Sequence, residues 1–241
     1  MLFVKNAPRT PVTETFRMLR TNIYFSVIGQ SAGCIMITST VAGEGKSTVV
    51  ANLGVVMAQD GKKVLIIDCD MRNPAMHKYF TMDNYHGLSN LLRYGAEIDD
   101  VIKGTGIAGL SLIPGGPIPP NPAELLSLQR MRYLLSNAKA KFDLVLLDTP
   151  AAIAVTDAAV LASSVNGVLL VLKAGSTAIE KVQSVKMQLE IAGANIIGVV
   201  LNDLKIKRRE YGHYYRSREQ EQLYTKLNVL SEQVASAKDS E

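Results

Sequence analysis

The sequence predicts an α/β fold built on a doubly wound, mostly parallel sheet. Short apolar runs at 34–38, 64–67, 110–113, 144–147, 168–172 and 196–201 alternate with helix-like stretches at 47–59, 88–94, 123–140, 157–163 and 178–192. Strand and helix in alternation imply crossover connections, and crossovers make neighbouring strands parallel. Most of the runs are apolar without interruption, as expected of strands covered on both faces.

Taken in order, the chain opens with a predicted helix at about 13–28, for which Thr13 is a candidate N-cap. Strand 34–38 runs into a glycine-bearing loop and then helix 47–59. Strand 64–67 ends in Asp68 and Asp70, and strand 144–147 ends in Asp148. The last strand, 196–201, ends at Asn202. Residues 1–204 read as one domain, since a chain of 241 residues suits a single α/β unit with a full core. Residues 205–241 read as a basic, tyrosine-bearing tail. Between Lys205 and Arg218 it carries Lys205, Lys207, Arg208, Arg209, Arg216 and Arg218 against Glu210. Further on, Leu223, Leu227, Leu230 and Val234 recur at helical spacing.

Bulk properties exclude several classes. The net charge of +4 is too small to indicate a nucleic-acid partner. No run reaches the ~18 apolar residues of a membrane span, and no secretory signal pattern opens the chain. The chain is therefore expected in the cytoplasm, held at a membrane only through a partner. Cys34 and Cys69 show no metal-binding spacing and read as half-buried core thiols suited to a reducing compartment.

The run Thr40-Val41-Ala42-Gly43-Glu44-Gly45-Lys46-Ser47-Thr48 follows a strand and opens a helix, the context a phosphate-binding loop requires. Gly43 and Gly45 let backbone N–H groups turn toward phosphate oxygens. The helix start adds its positive dipole end. Lys46 supplies a cation to the β/γ-phosphates, and the Ser47 hydroxyl can ligate Mg²⁺. Gly43 through Thr48 are thus the candidate ATP-binding residues, although Thr40 stands where the strict pattern has glycine. Ligands of doubly wound sheets bind at the carboxyl ends of the strands. That places Asp68, Asp70 and Asp148 near the loop, where clustered carboxylates call for a cation, and Mg²⁺ with triphosphate supplies one.

These residues together resemble the bacterial protein-tyrosine kinases of the short, cytosolic capsule and exopolysaccharide type. The loop 43–48, the Asp68-Cys69-Asp70-Met71-Arg72 run and the Asp148-Thr149-Pro150 run are similar to that family's three Walker motifs. Its fold is the deviant-Walker P-loop NTPase fold of the Min/Par ATPases. Glu14, Arg17 and Arg20 match the family's self-association helix, and Pro119-Pro120-Asn121-Pro122 with Glu124-Leu125 resembles another of its segments. Tyr211, Tyr214, Tyr215 and Tyr224 are similar to its autophosphorylated cluster. The family reads a second proline where this chain has Ala151.

The resemblance implies transfer of the ATP γ-phosphoryl to tyrosine, in trans within a ring-like homo-oligomer. Lys46 would hold the phosphates, and Ser47, Asp70 and Asp148 would hold Mg²⁺. Asp68 would orient or deprotonate the acceptor hydroxyl, and the three aspartate roles could be permuted. Asn202 resembles the base-contacting residue. The resemblance also implies a separate transmembrane adaptor, protein-tyrosine substrates, a phosphatase, and a role in capsule or exopolysaccharide synthesis and export. The competing readings are a Min/Par-type ATPase switch and a nucleotide-ordered scaffold. Val41 speaks against the first, because the partitioning ATPases carry a signature lysine there.

Overall fold

The computed structural model describes residues 2–7, 9–28 and 33–204, without the side chains of Val27 and Ile28. The tail 205–241, with Tyr211, Tyr214, Tyr215 and Tyr224, lies outside the described residues. In chain order the elements are α1 (Phe3–Asn6), α2 (Pro11–Ile23), a π-helical turn (Tyr24–Ile28), β1 (Gly33–Ser39), α3 (Lys46–Gln59), β2 (Val64–Asp68), α4 (Met76–Tyr79), α5 (Leu88–Tyr94) and α6 (Ile98–Val101). There follow β3 (Lys103–Gly104), β4 (Leu110–Ile113), α7 (Pro122–Ser127), α8 (Gln129–Lys141), β5 (Leu144–Asp148), α9 (Asp157–Ala162), β6 (Gly167–Lys173), α10 (Ile179–Ile191) and β7 (Ile196–Asn202).

The seven strands form one sheet in the order β3-β4-β2-β5-β1-β6-β7. Every pairing is parallel except β3 with β4. The doubly wound, mostly parallel architecture expected from the alternation is therefore the one observed. Strands β1, β2 and β5 are buried at every position, which is why they lack the alternation of half-exposed strands. Their side chains divide by parity between two cores. Ile35, Ile37, Ile66 and Leu146 pack with α1, α3 and α4. Cys34, Met36, Leu65, Ile67, Val145 and Leu147 pack with α5, α7, α8 and α9. Helix α3 is buried from Val49 through Ala58. A helix apolar on all sides needs cover on all sides, and α1 and α2 supply it on the face away from the sheet.

Several expectations need correcting. The N-cap of the first long helix is Thr10, whose hydroxyl accepts from the Thr13 N–H at 3.4 Å, with Pro11 in the first turn. Thr13 lies inside the helix, fully buried, and its hydroxyl donates to the Ala7 carbonyl. The α-helix stops at Ile23 rather than Ile28, where π geometry takes over. The stretch 123–140 is two helices, because Leu128 adopts ψ of 150° between α7 and α8. Both thiols are fully buried, not half-buried. Strand β7 is an edge strand with Val199 and Leu201 more than half exposed, so its unbroken apolar run does not signal cover on both faces. Helices α1, α4 and α6 and the two-residue β3 were not foreseen, being too short to show a period.

Candidate active site

Register brings the acids together. Strands β2 and β5 are parallel neighbours, and Asp68 stands opposite Asp148 in their ladder. Strand β1 flanks β5 on its other side, so the loop leaving β1 opens beside both carboxylates. Gly43 and Gly45 have φ of +84° and +90°, conformations that side chains rarely adopt. A Cβ at Gly45 would also stand 2.1 Å from Asn202 Nδ2. Gly45 occupies the N-cap position of α3, whose first turn holds no acid. The free N–H groups of that turn and the positive dipole end are left for an anion.

Lys46 Nζ lies 2.8 Å from Asp70 Oδ2, 3.8 Å from Asp148 Oδ1 and 3.4 Å from Ser47 Oγ. Burial pulls the Lys46 pKa down, but Asp148 and then Asp70 outweigh it and hold it above the usual lysine value. The side chain is therefore a fixed cation. Asp68 is fully buried. Its Oδ2 accepts the Ala75 and Met76 N–H groups, each at 2.9 Å, and its Oδ1 accepts the Asp70 N–H at 3.2 Å. Burial, and next the neighbouring Asp148 charge, push its pKa up.

Asp148 differs from both. It is fully buried and neither oxygen accepts a hydrogen bond. Burial raises its pKa, while Lys46 and the nearby Ser47 hydroxyl pull the other way. Ser47 is close enough to act on that charge without completing a hydrogen bond. Two orphaned carboxylate oxygens beside a hydroxyl and a second carboxylate are hard donors, which fit Mg²⁺. No group of three or more acidic, histidine or cysteine side chains arranged for a metal occurs among the described residues. Mg²⁺ held by one or two carboxylates and completed by phosphate oxygens needs no such group.

Of the remaining expected residues, Glu44 turns its side chain away from the loop mouth. It is 2% exposed. Its Oε2 accepts the Val41 N–H at 2.9 Å, and its Oε1 accepts the Lys173 N–H at 3.2 Å and the Thr177 hydroxyl. Asn202 Nδ2 donates to the Glu44 carbonyl at 2.9 Å, tying the end of β7 to the loop. The Thr48 hydroxyl shares a hydrogen bond of 2.7 Å with the Tyr79 hydroxyl. Away from the loop, Glu14 pairs with Arg17 inside α2, and Arg20 reaches Asp60 just past α3 at 2.9 Å.

Two residues, Asp157 and Tyr79, escaped sequence reasoning. Arg72 directs Nε and Nη2 at the two oxygens of Asp157, each at 3.0 Å. Asp157 is fully buried at the start of α9. This fork joins the loop bearing Asp70 to the far end of the loop that follows Asp148. An acid at a first helical position reads as a dipole partner, so only Arg72 in the Asp-x-Asp-x-Arg run hinted at more. Tyr79 closes a four-residue helix that leaves no periodic signal.

A family model described as an AAA domain matches residues 32–196. The chain is 40% identical over 208 residues to the tyrosine-protein kinase YwqD of Bacillus subtilis, covering 86% of this chain and 88% of that protein. It is 41% identical over 208 residues to the tyrosine-protein kinase Etk of Escherichia coli, where it spans only 28% of the longer protein. The solved kinase domain of Etk superimposes with a TM-score of 0.82, covering 86% of this chain and 82% of that domain. The septum site-determining protein MinD of Pyrococcus horikoshii, solved with Mg-ADP, gives a TM-score of 0.63 at 27% identity, over 73% of this chain and 72% of that one.

Proposed function

The chain belongs to the bacterial tyrosine-protein kinases, and from that premise we propose that it transfers the γ-phosphoryl group of ATP to tyrosine hydroxyls. The observation that carries the chemistry is the Lys46–Asp70–Asp148 cluster at the mouth of the phosphate loop. Such transfer is mostly positioning and charge neutralisation. The loop N–H groups and Lys46 hold the β/γ-phosphates, and Glu44 enters this set through its main chain alone. Ser47, Asp70 and Asp148 would hold Mg²⁺, which when bound would supply charge neutralisation at the phosphate oxygens. Asp68 is the group proposed for the acceptor hydroxyl. The burial that pushes its pKa up makes it a better proton acceptor than an ordinary carboxylate. Its Oδ1 accepts a single N–H group and keeps a second acceptor site, so a tyrosine hydroxyl reaching it needs the buried carboxylate uncovered. Asn202, fixed at the loop's edge, is the proposed contact for the base.

Autophosphorylation of Tyr211, Tyr214, Tyr215 and Tyr224 in trans belongs to the same proposal. So do a ring-like homo-oligomer, a transmembrane adaptor, a phosphatase and a role in capsule or exopolysaccharide export. Self-association is supported by Met18 on α2 and Phe25 on the π-helical turn that follows it, which are 66% and 82% exposed. No helix among the described residues is long and apolar enough to cross a membrane.

The test is incubation of the full chain with Mg-ATP followed by intact mass. Phosphoryl increments on tyrosine are expected in the wild type and absent in Lys46→Met. ADP release without any increment would support the ATPase switch instead and overturn the kinase reading.

A further inference from the structure

An open surface groove of about 300 Å³ lies between α8 and the turn after α9, lined by exposed Arg132 and Ser136, half-buried Lys139 and Ser164, and buried Leu135. That volume is at the small end of the range for small-molecule pockets, about 300–1,000 Å³. Arg132, Ser136 and Lys139 sit four and then three residues apart, on one face of α8. Ser164 faces them from the other wall, and buried Leu135 forms an apolar floor. Lys139 lies shortly before the entry to β5 and Ser164 shortly before β6. The groove thus lies toward the amino ends of the strands, away from the phosphate loop at their carboxyl ends.

Two of the charges here have no partner among the described residues. Helix α8 contains Arg130, Arg132, Lys139 and Lys141 and no acid. Arg130 caps α5 by donating to the Leu92 and Arg93 carbonyls, and Lys141 pairs with Asp99. Among the described residues, Arg132 and Lys139 make no hydrogen bond or ion pair, nor do the Ser136 and Ser164 side chains. Lys139 lies in the last turn, where the helix dipole favours a cation, but Arg132 lies near the amino end, where it does not. Helix stability therefore does not account for Arg132. Lys139 also acts on the buried Cys34 thiol of β1, lowering its pKa against the burial that raises it, so its charge is felt within the domain.

The geometry points to an anion site for a phosphomonoester. Two cations and two hydroxyl donors around an apolar floor exceed what one carboxylate can use. They match a dianion with three acceptor oxygens on an organic group. In a tyrosine kinase the fitting source is the phosphotyrosyl side chain, the product of its own reaction. That assignment of source rests on the proposed function, whereas binding of the anion does not.

The test uses the full chain with its phosphate loop saturated with Mg-ADP. O-phosphotyrosine, glucose 1-phosphate and sulfate are titrated while amide NMR shifts at residues 132–139 and 163–165 are followed. Saturable binding of a phosphomonoester is expected in the wild type, weakened at least about tenfold in Arg132→Ala/Lys139→Ala. The charge-conserving variant Arg132→Lys/Lys139→Arg should keep most of the affinity. Tighter binding of phosphotyrosine than of glucose 1-phosphate assigns a phosphotyrosyl source, and the reverse assigns a small phosphorylated metabolite. Equal response to sulfate, or unchanged affinity in the alanine variant with an unchanged melting temperature, overturns the site. Because no turnover is read, failure here is distinct from failure of the kinase reading.

Discussion

Asp148→Asn should make the unliganded protein more stable while removing its response to Mg-nucleotide. Asp148 keeps two buried oxygens without a hydrogen bond. Its ion-pair partner, Lys46 at 3.8 Å, offers about 4 kcal/mol of attraction at an effective dielectric of 20. Burial outweighs that attraction, because the pKa is still raised. The carboxylate is thus a net cost to the unliganded fold, of about 1–2 kcal/mol. Removing it should raise the melting temperature by about 2–8 °C for a domain of this size. Mg-ADP at a hundred times its dissociation constant should stabilise the wild type by about 2.7 kcal/mol, or about 5–10 °C, and the variant hardly at all. The sign of the pH dependence follows. An acid whose folded pKa is raised favours the folded state when protonated, so stability is lost as pH rises from about 4 through the raised value. Asp68 and Asp148 act in the same direction. The unliganded wild type should therefore melt higher at pH 5.5 than at pH 8, with a shallower slope in Asp148→Asn. Thermal unfolding with and without Mg-ADP at the two pH values reads all of this. A variant that melts lower than wild type without ligand, or that keeps the full Mg-ADP response, refutes the reasoning.

The Arg72–Asp157 fork should behave as a coupled pair. Arg72→Ala leaves a buried, unpaired carboxylate and is expected to cost about 2–3 kcal/mol in urea unfolding, more than Asp157→Asn, with a double-mutant coupling above about 1 kcal/mol. Additive losses would show the two act independently. Cys34 and Cys69 are fully buried, with the Cys34 pKa pushed up to about 12 by burial and Cys69 raised likewise. Neither should react with iodoacetamide in the native protein, while both should after denaturation; native labelling would mean the core opens readily. Arg17→Ala with Arg20→Ala should lower the oligomer mass in light scattering. Because Arg20 also holds Asp60, a loss of up to about 1 kcal/mol in stability is expected with it. An unchanged mass would make α2 a surface brace and nothing more.

What the sequence revealed tracks the range over which each interaction is encoded. The strands were legible because fully buried parallel strands are apolar along most of their length, and β1, β2 and β5 turn polar only at their carboxyl ends. The same signal misled at β7. An edge strand of this sheet is as apolar as a central one, and only its neighbours decide its cover. Helix α2 was legible as a helix but not in its start. Thr10 and Thr13 are both acceptable caps on residue type, and the Pro11 between them favours the earlier. The break at Leu128 leaves no trace, since leucine is a strong helix former and only tertiary packing turns its backbone extended.

The site divides along the same line. Lys46, Asp70 and Asp148 were legible because a strand end, a tight loop and a helix start are local features, and the doubly wound topology supplies their convergence. Glu44 was not. A carboxylate amid N–H groups aimed at phosphate would repel the ligand if it faced the same way. Sequence position alone puts it among the cofactor-binding residues. The fold turns it aside by giving it donors at Lys173 and Thr177, 129 and 133 positions away, while Asn202, 158 positions away, holds its carbonyl. The loop is thus pinned to the ends of β6 and β7 by the one residue in it whose charge opposes the ligand. Nothing local to 40–48 encodes that arrangement. It follows from β1, β6 and β7 lying side by side in the sheet, which brings the ends of the last two strands against the phosphate loop.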